Sequence, residues 1–110
     1  MTNLKEETID KLHRSGKDIS DIVWIGCKDF KIPVDLFWKL ADKSYDAGYG
    51  SQKVATDLLV VGDNWWLERA EYDGSEWWEF KTSPVEPIET IKVQKVLGGM
   101  WDSLMELNER

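Results

Sequence analysis

Six carboxylates fall within one stretch of this chain: Asp63, Glu68, Glu71, Asp73, Glu76 and Glu79. Folding that brings two of them together would allow acid/base work or the holding of a hard cation. Their spacing does not match the calcium-binding EF-hand loop. Nucleophilic chemistry has less to work with. Cys27 lies in the apolar run IVWIGC, where a buried inert thiol is the natural reading, and His13 lies in a separate N-terminal segment. As the only cysteine and the only histidine they cannot make an intrachain disulfide or a four-ligand zinc site. The loop Asp46-Ala47-Gly48-Tyr49-Gly50-Ser51 is not a phosphate cradle, because no Gly-Lys-Ser/Thr follows it. Its two glycines instead bring the main chain around Tyr49 close to something. No catalytic residue, metal or cofactor is assigned.

Tryptophan is the more informative residue. The chain has seven, four of them in WWLERAEYDGSEWWEFKT over residues 65–82. Asp73-Gly74 between two strand-like runs is a strong hairpin signal. With a two-residue type I′ loop, Tyr72 faces Ser75, and the remaining pairs follow. Side chains alternate across a sheet, so each Trp-Trp pair must split. One face then holds Leu67 and Phe80 with Trp65, Trp78 and Arg69, and is the better core candidate. Arg69 opposite Trp78 permits a cation–π contact. The other face holds Trp66, Glu68, Ala70 and Tyr72 beside Ser75, Trp77, Glu79 and Lys81. There Glu68 opposes Glu79, a like-charge pair that is unfavourable unless a cation or partner group intervenes. A three-residue loop with a bulge at Gly74 would shift every pairing by one.

The elements that position this hairpin follow from periodicity. Asn3 and Glu6 resemble a capping box and Gly16 a stop, so residues 4–14 read as a short helix with a thin apolar stripe, lightly packed or a mobile arm. Residues 22–27 and 30–32 suggest a small hairpin. Pro33 opens a helix through about Tyr45, with Val34, Phe37, Trp38, Leu40 and Ala41 on one face. Residues 54–62 read as a buried strand, and Gly62-Asp63-Asn64 as a turn. After the stiff linker 83–87, residues 88–108 read as a C-terminal helix whose stripe includes Ile88, Ile91, Leu97, Trp101 and Met105. Gly98-Gly99 costs that helix about 2 kcal/mol relative to alanines. The alternative is a strand at 91–96 and a shorter helix. The whole is one α+β domain: an N-terminal helical arm over 1–16, sheet plus helix over 21–84, and the C-terminal helix.

The chain has 110 residues, 42% of them hydrophobic, enough for one domain with a core and no staples. No apolar run approaches the ~20 residues of a membrane span and no signal-peptide pattern is present, so the expected setting is cytoplasmic. Fourteen Lys and Arg against 21 Asp and Glu leave a net charge of −7. That balance argues against direct binding of nucleic acid. Residues 51–82 alone carry three positive and seven negative charges, which fits an acidic patch that attracts a basic surface. Trp, Tyr and Arg are enriched at protein–protein hot spots. The paired aromatics also have a purely structural reading as core, and a carbohydrate-stacking reading that suits a cytoplasmic setting poorly.

Residues 65–79, WWLERAEYDGSEWWE, with AGYGSQKVATDLLVVGD at 47–63, resemble a family of small proteins encoded by phages and prophages of Gram-positive bacteria. The likeness covers residues 35–84 and brings no catalytic residues with it. It implies a cytoplasmic protein of the infected or lysogenic host cell, of a kind that often acts by binding host machinery, CRISPR nucleases and other defence enzymes included. The leading expectation is therefore a non-enzymatic accessory protein that binds a host protein and occupies the basic groove of a nuclease. Its partner-binding residues are Trp66, Trp77, Tyr72, Glu68, Glu79 and Arg69, with Tyr49 next. The alternatives are a phage structural or assembly component that self-associates into homo-oligomers, and a carboxylate-dependent, metal-assisted enzyme.

Overall fold

Alternation and helix signals place most of the elements. The computed structural model describes residues 1–109. A two-residue strand β1 (Thr2–Asn3) runs into helix α1 (Leu4–Arg14), where the Asn3 side chain accepts the Glu6 N–H as the cap. A 3-10 turn leads into β2 (Ile22–Gly26), which turns back as β3 (Lys31–Ile32). Helix α2 (Val34–Ala41) follows, then β4 (Ser44–Tyr45), which pairs with β1. After a long loop come β5 (Leu59–Gly62), β6 (Trp65–Tyr72) and β7 (Ser75–Thr82). A single turn, α3 (Leu104–Leu107), lies near the C-terminus.

The main sheet is antiparallel with strand order β3-β2-β5-β6-β7. One lateral row, Ile25–Val60–Leu67–Phe80, runs across four of its strands on the core face. Ile25, Val60 and Leu67 are fully buried there, under Leu12 of α1 and Phe37 and Ala41 of α2. Each such side chain contributes about 1.5–3 kcal/mol of burial. Trp65 and Trp78 complete this layer, as expected for that face. Gly62 is required by packing: a Cβ there would lie 2.0 Å from the Trp65 ring. The buried Trp78 indole donates to Thr8 Oγ1 (2.9 Å), and Thr8 donates in turn to the Leu4 carbonyl (2.7 Å). A wide apolar surface is thus buried with its one polar atom satisfied.

The α+β class expected from the sequence is the class observed, but several elements differ. Helix α1 is neither mobile nor lightly packed, since Thr8 and Leu12 are fully buried against the sheet. Helix α2 stops at Ala41 instead of Tyr45, because residues 44–45 leave to pair with β1. The strand expected over 54–62 begins only at Leu59. The largest correction concerns 88–108, which forms neither the long helix nor a strand at 91–96. Only Leu104–Leu107 is helical, started by a capping box between Ser103 and Glu106. Gly98-Gly99 and the β-branched Ile88, Thr90, Ile91, Val93 and Val96 disfavour a helix, and no surface receives its stripe. Asn108 instead closes a local loop by bonding the backbone of Gln94, Lys95 and Leu104.

Candidate interaction surface

The hairpin has the two-residue loop. Asp73 (φ 49°) and Gly74 (φ 87°) are both left-handed, as a type I′ turn demands, and Tyr72 pairs with Ser75. The ladder then runs without a bulge to Trp65–Thr82. Trp66, Glu68, Tyr72, Trp77 and Glu79 consequently share the face opposite the core. Tyr72 is 76% exposed and Trp77 36% exposed, while Trp66 is half-buried. The Trp66 indole N–H donates to Glu68 Oε1 at 2.7 Å, which ties the two side chains together on this face. Glu68 sits directly across from Glu79, so the like-charge pair is real and the bond to Trp66 answers only one of its oxygens.

Tyr49 reaches the same hairpin from another part of the chain. A Cβ added to Gly74 would lie 3.4 Å from the Gly50 nitrogen and 3.5 Å from the Tyr49 Cα. The Glu76 N–H donates to the Ala47 carbonyl at 2.8 Å, fastening the loop to the turn. The close approach implied by the two glycines is therefore an approach to the hairpin tip. Tyr49 is exposed there, as is Tyr72 at the turn.

Arg69 does not belong to this surface, which corrects its place among the partner-binding residues. It points to the core face, and its side chain is wholly buried. Its guanidinium carbon lies 4.7 Å from the Trp78 ring centroid, so the cation–π contact exists, inside the protein. Nη1 donates to Glu7 Oε2 (3.2 Å), Nη2 donates to the Tyr45 hydroxyl (3.0 Å), and Glu76 Oε1 lies 3.7 Å from Nη2. The Tyr45 hydroxyl donates to the other Glu7 oxygen. Burial and this bond to Glu7 push the Tyr45 phenol up to about 12, against the opposing pull of Arg69. Glu76 also accepts the N–H groups of Lys53 (3.1 Å) and Val54 (3.3 Å). One buried cation thus ties α1, β4 and β7 together and pins the 46–58 loop. Removing one member of such a buried pair typically costs about 3–5 kcal/mol.

The surface extends further than the hairpin. Val61 and Trp24 continue the row from Trp66 across β5 and β2, and Leu59 lies beside Glu68. Trp24 was legible in principle: with Ile25 in the core, alternation sends its neighbour outward. The apolar run IVWIGC hides that parity, because nearly every position in it is apolar. Among the described residues no group of three or more His, Cys, Asp and Glu is placed to hold a metal ion, and no helix is long and apolar enough to cross a membrane. Comparison with protein families, curated proteins and solved structures gives no match.

Proposed function

We propose that this protein is a phage- or prophage-encoded accessory protein that works in the host cytoplasm by binding a host protein, and that the outer face of the sheet is its contact surface. The observation that carries this reading is the one-sided packing of the sheet. Helices cover the core face, while Trp66, Trp77 and Tyr72 remain on the open face beside Glu68 and Glu79. Aromatic anchors inside a charged rim are what a protein hot spot requires. The acidic rim and the net charge of −7 suit a basic partner, such as the nucleic-acid groove of a defence nuclease.

The test uses the tagged protein on nuclease-treated host lysate, followed by binding and inhibition assays with each purified enzyme it retains. Trp66→Ala/Trp77→Ala and Glu68→Lys/Glu79→Lys should each lose the partner while keeping their unfolding transitions. Each aromatic truncation should weaken binding at least about 30-fold, the 2 kcal/mol expected of a hot spot. Equal binding by folded forms of both double variants would sink the assignment of this face.

A further inference from the structure

We propose that two copies of this protein pair edge to edge through β7, antiparallel about Phe80, to form one continuous sheet. This does not depend on what the outer face binds. Among the described residues β7 ends the sheet and has no neighbour on its far side. It is eight residues long and free of proline, and its ladder has no bulge, so three of the usual devices that blunt an edge are absent; its outer-face charges, Glu79 and Lys81, are of opposite sign.

The direction of its backbone groups is fixed by the turn. In a two-residue hairpin the closing pair Tyr72–Ser75 is hydrogen-bonded, and alternate pairs follow it. Trp77, Glu79 and Lys81 therefore bond inward to β6. Glu76, Trp78, Phe80 and Thr82 direct their N–H and C=O groups outward. The structure bears this parity out at both ends: the Glu76 N–H reaches Ala47, while the Ser83 N–H turns inward to Asn64 (3.0 Å). Among the described residues nothing bonds the outward amides of Trp78, Phe80 and Thr82.

That open window selects its own register. Glu76 is closed because its N–H is taken, and Pro84 is closed because it has none. What remains, Trp78 to Thr82, is centred on Phe80. A twofold axis there sets Phe80 against Phe80 of the second copy and Trp78 against Thr82 of the second copy. The window ends where Glu76 would meet Pro84, so both closed positions coincide. On the outer face the same register sets Glu79 against Lys81 of the second copy, twice by symmetry. Neither residue makes an ion pair within its own chain among the described residues. Lys81 of the second copy also brings a cation to the Glu68–Glu79 pair, the group such a like-charge pair calls for. The neighbouring register, centred on Glu79, would oppose two Glu79 side chains and is disfavoured by the same rule.

Sedimentation velocity over a concentration series of the whole protein tests this, with hydrogen exchange read at both ends of the series. The wild type should become dimeric by about 100 µM, a weak association in keeping with one strand pair. Glu79→Lys and Lys81→Glu should each raise the dissociation constant by about tenfold or more, and the double swap Glu79→Lys/Lys81→Glu should restore it. Thr82→Pro removes an outward N–H that β6 does not use, and should also give monomers. The amides of Trp78, Phe80 and Thr82 should gain protection only at high concentration. A monomer throughout, or a dimer indifferent to all these changes, overturns the proposal. Protection of those amides independent of concentration also overturns it, by making a segment of the same chain the occupant. Should Thr82→Pro fail to fold, the charge swap alone decides.

Discussion

At the scale of single residues, Arg69 is the most consequential side chain, although its type misleads. Its parity placed it correctly on the face of Leu67, Phe80 and Trp78. Nothing local said that the face would close over it, because Glu7 and Tyr45 stand 62 and 24 residues away in sequence. The same network makes Tyr45 a reporter of the fold. Its hydroxyl stays protonated in the folded protein up to about 12, against 10.0 for an ordinary tyrosine, first through burial and then through the bond to Glu7. The folded value is raised, so the neutral phenol's contribution to stability is complete below the ordinary value. It is lost as pH rises from 10.0 through about 12, where the unfolded chain has ionised first. Urea midpoints measured across that window should fall for the wild type and fall less steeply for Tyr45→Phe. The late phenolate absorbance step should disappear in the same variant. An equal slope for both proteins would mean that Tyr45 is not held in this network.

Among the elements, the ones legible in the sequence have local punctuation. Asn3 starts α1 and Asp73-Gly74 sets the β6–β7 register, so both appear where residue types alone put them. The segment over 88–108 has a helical stripe but no surface to bury it, and a stripe without a partner does not make a helix. The limits of α2 and β5 were hidden for a related reason: residues 44–45 leave the helix to meet a strand at the far N-terminus. Two glycines separate these cases. Gly74 holds φ 87° in the turn with the Gly50 nitrogen 3.4 Å from any added Cβ, whereas Gly99 has nothing within 4 Å. Gly74→Ala should destabilise the protein by about 1–2 kcal/mol through left-handed strain and the crowded loop. Gly99→Ala should stay within about 0.5 kcal/mol of wild type, as surface changes do. Chemical denaturation of the two variants side by side checks this. Equal losses would mean that Gly99 sits in a packed element after all.

On the scale of the whole molecule, stability and surface are divided along the chain. The radius of gyration is 18.3 Å and the longest extent 55 Å, against about 13 Å for a compact chain of this length. The difference lies beyond β7. Phe80 is the last residue packed against the core, and from Lys81 to Glu106 every side chain is exposed. Ile88, Leu97, Trp101 and Met105 therefore leave large apolar surfaces in water that contribute nothing to the fold of the sheet. A chain ending at Ser83 keeps α1, α2, the five-stranded sheet and the Arg69 network intact. Its unfolding free energy should lie within about 1 kcal/mol of the full-length value, since no buried contact is removed. Its radius of gyration, measured by small-angle scattering at a concentration where both chains are monomeric, should drop towards about 12 Å. A loss of several kcal/mol would mean that the segment beyond Ser83 packs against the sheet and takes part of its free surface.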